Sequence, residues 1–292
     1  MQNKTKGLIF LSITVVLWGI SFVATSIVVQ FIPPIIAGFI RFFIASIFLM
    51  ILVRKKVKYS KKEIFHIVMT GFFGITAYFI FENTALMYTT PSNSSLIISS
   101  TPIFFLLVSD IINKKLSNKI RYLGTLIAFT GVTLLVLNGK YILNLNPIGD
   151  LLMMIPVLSW IVYTIYLEKL HHNHSNLIIT RDMTLYGAIF FAPFAVFEFL
   201  KMDSDIIFES WLQPSVIFSL LFLGILCSAI GYIFWNYSVK MAGSKTTMNG
   251  IYFIPVVTLI ADSLILKNIP NAFTLIGAIL IISGTYIAEK KF

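Results

Sequence analysis
The chain repeats itself at an offset of 153 residues. That offset pairs Gly71 with Gly224, Phe81 with Phe234, Asn83 with Asn236 and Pro102 with Pro255. It also pairs Lys114 with Lys267, Gly124 with Gly277 and Gly131 with Gly284. If each copy crosses a bilayer an odd number of times, the two copies lie upside down relative to each other. What the chain can fold into therefore depends on how many crossings each half contains.

Apolar runs near the ~20 residues needed to cross a bilayer recur along the whole length. Ten are read: Leu8–Val29, Ile35–Val53, Ile64–Tyr88, Ser92–Ile112, Tyr122–Leu137, Gly149–Leu167, Leu177–Phe197, Val216–Val239, Thr246–Leu266 and Ala272–Ala288. Composition agrees, since 58% of residues are hydrophobic and 12% charged. A soluble domain averages about 25% charged, so this chain cannot clothe itself in a solvated surface. The runs are continuous and do not alternate, which argues against a transmembrane barrel. The expected fold is an all-α integral membrane protein of ten transmembrane helices. Residues 1–140 form one five-helix repeat and 141–292 the inverted second, the two intertwined as one unit.

The first run is too long for a cleaved signal peptide, and Ala24-Thr25-Ser26 is a feeble cleavage site. Cys227 is the single cysteine, so no disulfide is expected. The net charge of +10 is distributed by topology. With the N-terminus in the cytoplasm, Lys4, Lys6, Arg54, Lys55, Lys56, Lys58, Lys61, Lys62, Lys114, Lys115, Lys119, Arg121, Lys169, Lys240, Lys245, Lys290 and Lys291 fall on that side. Only Lys140, Lys201 and Lys267 fall opposite, beside the acids Asp203, Asp205 and Glu209. The asymmetry predicts both termini cytoplasmic in the cell membrane. The basicity reads as membrane topology with the lipid bilayer as partner, and not as a nucleic-acid footprint.

No HExxH, Gly-rich phosphate loop or Walker-type pattern appears, so no catalytic residue, metal or cofactor is expected and the chain reads as a non-enzyme. His171, His172 and His174 read as a solvated loop. Inverted repeats are characteristic of secondary transporters, with a small-molecule site where the copies meet near the midplane.

Leu17-Trp18-Gly19, Arg41-Phe42, Ala85-Leu86-Met87-Tyr88-Thr89-Thr90, Ser94-Ser95-Leu96 and Thr101-Pro102-Ile103-Phe104 carry a resemblance. So do the glycines near the ends, Gly124, Gly131, Gly277 and Gly284. Over nearly its whole length the chain resembles the drug/metabolite transporter superfamily, specifically its EamA-type ten-helix members. It departs from them at Lys114-Lys115 and Lys267-Asn268, where that family usually has Gly-Glu. The resemblance implies movement of a small organic solute, often export of amino acids or other metabolites.

Helix 3 carries Gly71, Gly74, Tyr78, Glu82 and Ala85 on one face, and helix 8 carries Gly224, Ser228, Gly231, Trp235 and Ser238 on the matching face. Such stripes either pack helices closely or line a wet cavity, and packing is the reading taken for Gly71, Gly224, Gly124, Gly277, Gly131 and Gly284. Glu82 is reckoned two turns below the external end of helix 3, where a charge costs about 2.5–3.5 kcal/mol on translocon scales. It reads as a proton-coupling group or the counter-charge of an amine, against a protonated or Arg-paired helix tie. Arg41, counted to the inner third of helix 2, falls across the midplane from it. Trp18, Tyr78, Trp160, Tyr163, Trp235 and Tyr252 are candidates for an aromatic cage, with Ser99 and Asn249 as polar contacts. Ordinary aromatic packing is the competing reading. Pro102 and Pro255 weaken helices 4 and 9 and are the expected gating kinks.

Asp110 and Asp182 are within reach of Lys114 and Arg181, so ion pairing or snorkelling accounts for both, and Asp262 lies near Lys267. The function expected is passive or proton-coupled alternating-access transport of an amino-acid-like or amine-like metabolite. A multidrug exporter of the same fold, a channel and a membrane scaffold are the alternatives. Substrate, direction, stoichiometry and assembly, including a homodimer, stay open.

Overall fold
The structure, a computed structural model, describes residues 2–85, 88, 97–137, 147–171, 174–202, 208–265 and 272–289. Among the described residues every regular element is a helix. They are α1 (Gln2–Val28), α2 (Pro34–Leu52), α3 (Lys61–Ala85), α4 (Thr101–Asn113), α5 (Lys119–Leu137), α6 (Pro147–Leu170), α7 (Asn176–Leu200), α8 (Pro214–Ala242), α9 (244–265) and α10 (Ala272–Glu289). Seven helices, α1–α3 and α5–α8, are long and apolar enough to cross a membrane. Two shorter apolar helices are Thr101–Asn113 and Leu275–Glu289.

Local chemistry sets several boundaries. α3 opens on a capping box, in which Ser60 Oγ accepts from the Glu63 amide and Glu63 accepts from the Ser60 amide at 2.8 Å. Pro34 opens α2, where its missing N–H costs nothing. α8 stops at Gly243, whose φ of +89° suits a residue without a Cβ and lets α9 begin at once. Outward-facing Ile51, Leu151, Phe197, Phe218 and Ile279 are each at least 60% exposed, a surface suited to lipid rather than water.

Packing is set by glycines. α5 and α10 run antiparallel, and a Cβ on Gly124 would come within 2.6 Å of Gly284 O, as one on Gly131 would of Gly277 O. Gly71 presses α3 on the Met183 carbonyl of α7, and Gly224 presses α8 on Ile44 of α2. All six glycines read as packing residues thus lie at close helix approaches. Contacts come in matched pairs. α1 packs on α8 and α9 as α6 packs on α3 and α4, and α2 packs on α8 as α7 packs on α3.

Both prolines mark breaks rather than bends within continuous helices. Residues 99–100 form a turn and α4 resumes at Thr101, with Pro102 in its first turn. In α9 a 3₁₀ turn, Gly250–Phe253, precedes the helix beginning at Ile254, so Pro255 again sits in a first turn. Ser94, Ser95, Lys140, Asp203, Asp205, Lys267 and the side chain of Asp262 lie outside the described residues.

Candidate functional site
α3 and α8 each contain a π-helical stretch, Phe72–Ala77 and Phe222–Ile230, at positions the 153-residue offset brings into register. A π turn slips the hydrogen-bond ladder and frees carbonyls, and such bulges recur at functional sites. Here aromatic side chains take carbonyls from those stretches. Trp18 Nε1 donates to Cys227 O at 3.0 Å, and Tyr232 Oη donates to Gly74 O at 2.8 Å.

These bonds hold an aromatic centre drawn from both halves. Trp18 stacks on Trp235 at 5.1 Å and meets Trp160 edge-on at 5.5 Å. Trp160 contacts Tyr163 at 4.7 Å, Tyr78 at 5.3 Å and Trp235 at 5.4 Å. Tyr163 donates to Asn236 Oδ1 at 2.5 Å, and Asn236 donates to Thr180 Oγ1 at 2.8 Å. Trp18, Tyr78, Trp160, Tyr163 and Trp235 are therefore brought together as the sequence pattern suggested. Tyr232 and Asn236 belong with them, although the pattern analysis passed them over. Ser228, Tyr232 and Trp235 fall at four- and three-residue steps, the periodicity that identifies Tyr232. The indole N–H groups of Trp160 and Trp235 are buried and have no acceptor among the described residues.

Two charged groups adjoin this centre. Glu82 accepts a long 3.5 Å bond from Tyr78 Oη, its one polar partner among the described residues. Glu82 lies three residues before Ala85, the last described residue of α3. Arg41 is 9% exposed, and its Nε donates to Ser228 Oγ at 2.9 Å. Its guanidinium carbon lies 5.0 Å from the Phe79 ring and 5.3 Å from the Phe42 ring. Arg41 does not fall across the midplane from Glu82, nor at the inner third of α2. α2 begins at Pro34, whose carbonyl accepts from Asn83 at 3.0 Å, so Arg41 and Glu82 occupy the same end of the bundle. They make no ion pair within 4.0 Å.

The remaining candidates lie elsewhere. Tyr252 is buried in a separate cluster with Ala128, Val132, Leu135 and Ile281. Asn249 donates to Glu289 Oε1 at 3.0 Å and lines a small cleft with Pro102, Arg121 and Lys245. Ser99 is buried beside the break before α4. A 3₁₀ turn advances side chains by a larger angle per residue than an α turn, so a straight-helix projection misplaces this part of α9.

At the other end of the bundle a polar clamp forms that the sequence reading did not anticipate. Asp110 pairs with Lys245 rather than Lys114, and also accepts from Ser117 and Tyr122. Lys245 reaches it because Gly243 turns the start of α9 back over α4. Glu289 of α10 accepts from Lys4 at 3.1 Å, Thr246 at 2.7 Å and Asn249. Nearby, Asp182 pairs with Arg181 at 2.6 Å as expected and accepts from Tyr59 at 2.5 Å. Burial, and then the Asp182 carboxylate, raises the pKa of the Tyr59 hydroxyl, which keeps it a donor. His174 bonds Glu63 at 2.9 Å.

Known proteins share this architecture. One solved crystal structure superposes with a TM-score of 0.81 over 97% of this chain and 98% of its own, at 20% identity. An uncharacterized transporter of Archaeoglobus fulgidus is 30% identical over 100% of this chain and 99% of its own length. Probable amino-acid metabolite efflux pumps of Salmonella typhimurium and Escherichia coli are each 24% identical over 98% of this chain and 95% of theirs. The sequence model of the EamA-like transporter family matches twice, at residues 5–137 and 147–289. The chain is a multi-pass membrane protein of the EamA-like transporter family, within the drug/metabolite transporter superfamily.

Proposed function
We propose that this transporter is an alternating-access carrier that moves an amine-bearing or zwitterionic organic metabolite across the cytoplasmic membrane. The reading rests on one juxtaposition: a carboxylate, Glu82, beside an aromatic centre built from α1, α3, α6 and α8. Aromatic faces next to a carboxylate suit an ammonium group. An acid within a membrane segment marks a substrate or proton pathway by default. The names of the bacterial relatives at 24% identity point to the same class of substrate.

The frame proposed is ten crossings in two inverted five-helix repeats, with both termini in the cytoplasm. Support comes from the double family match, the paired contacts, the antiparallel glycine crossing of α5 with α10, and the one-sided placement of Lys and Arg. On that topology the Asp110–Lys245 and Glu289 clamps close the cytoplasmic end, and the breaks at Pro102 and Pro255 are where α4 and α9 move. Reconstitution in liposomes with a broad metabolite panel tests the carrier. Saturable counterflow of at least one compound is expected, and flux that never saturates contradicts it.

A further inference from the structure
We infer that Arg41 is the carboxylate-recognition group of the central site, so that the substrate is a zwitterion of the α-amino-acid kind rather than a simple amine. The inference rests on the carrier reading and deepens it. A guanidinium carries five N–H donors in a planar fork matched to a carboxylate. In Arg41 only Nε is engaged, by Ser228, and among the described residues the two terminal nitrogens have no partner. Charged side chains within membrane segments are almost always paired. Phe42 and Phe79 offer only their ring faces, which soften the burial of the cation without occupying its donors.

The position suits the role. Arg41 lies over Phe79, and Glu82 follows Phe79 by three residues on α3, about 4.5 Å along the helix axis. Arg41 and Glu82 thus stand on neighbouring helices at the same end of the bundle without pairing, an arrangement suited to the two ends of an amino acid. The buried indole N–H groups of Trp160 and Trp235 also lack an acceptor among the described residues. Through Phe79 and Tyr78 the arginine is joined to Trp160 by an unbroken chain of ring contacts. The unbonded terminal nitrogens of the guanidinium fit an acceptor-rich group, which a carboxylate is and an alkylamine is not.

Counterflow in liposomes tests this with L-leucine, L-phenylalanine and L-lysine, each beside its C-terminal amide and its decarboxylated amine. The wild type is expected to exchange at least one amino acid saturably, with its amide and amine at least tenfold weaker. Arg41→Gln is expected to erase that preference, and Arg41→Lys to restore part of it. The comparison among ligands needs only the wild-type protein, so it stands even where a variant fails to fold. Amides or amines that exchange as well as the amino acids, or a preference that survives Arg41→Gln, overturn the inference and leave the carrier reading intact. No saturable exchange by any of the nine compounds, where another member of the broad panel exchanges, overturns the inference alone; no saturable exchange across the whole panel overturns both.

Discussion

α3 and α8 are the same backbone carrying different chemistry. Both run through a π-helical stretch, both press a glycine against a neighbour, and both carry an asparagine at the offset pair Asn83 and Asn236. Where α3 has Glu82, α8 has Trp235. The glutamate holds one long bond to Tyr78, whereas the tryptophan is fully buried and stacks on Trp18. Symmetry has been kept where helices must pack and lost where a ligand would be touched. A frame of two like halves can open toward either side, but a substrate with two unlike ends needs a site that is not symmetric.

The largest effect expected is on the symmetric frame. Gly124→Val and Gly284→Val each drive side-chain atoms into opposing backbone across the α5–α10 crossing. Overpacking of that kind costs about 1–3 kcal/mol or more. The two variants should lose monodisperse protein to a similar extent in size-exclusion chromatography; a marked inequality breaks the symmetry argued here. Next comes Asn236, fully buried between Tyr163 and Thr180. Asn236→Ala strands the buried Tyr163 hydroxyl, while Thr180 keeps its bond to Asn176 O, and should cost about 1–3 kcal/mol, whereas Asn83→Ala, at an exposed bond, should cost under about 1 kcal/mol. Thermal unfolding of the detergent-solubilised protein ranks them.

Smaller effects follow at the clamp and at the centre's edge. Asp110→Asn weakens the tie to Lys245 and should raise labelling of Asn249→Cys by a membrane-impermeant maleimide several-fold, in a Cys227→Ser background. Unchanged labelling would remove the clamp from the gating account. Tyr232→Phe gives up only the bond to Gly74 O in the π stretch and should cost about 1 kcal/mol with transport retained.

The fold was largely legible because lipid imposes a coarse rule, about twenty apolar residues per crossing, and because the 153-residue offset exposes the repeat. The aromatic centre was partly legible, since helical steps along α3 and α8 bring Tyr78 and Trp235 onto inward faces. The π stretches have no residue-type signature, for they differ from α-helix only in which carbonyl each amide chooses. Asn249 and Tyr252 were projected onto a straight helix that a 3₁₀ turn interrupts. Lys245 and Glu289 sit at helix ends, where a charge ordinarily means solvent, and their pairing depends on chain crossings that no local pattern encodes.

The most direct test of the central claim, that the halves differ functionally at Glu82, is substrate accumulation driven by an imposed pH gradient in liposomes, comparing wild type with Glu82→Gln. The account predicts that the variant accumulates at least tenfold less. Retained counterflow would then assign Glu82 to the proton, and lost counterflow would assign it to the substrate amine. A Glu82→Gln protein that exchanges and accumulates as well as wild type would contradict the account.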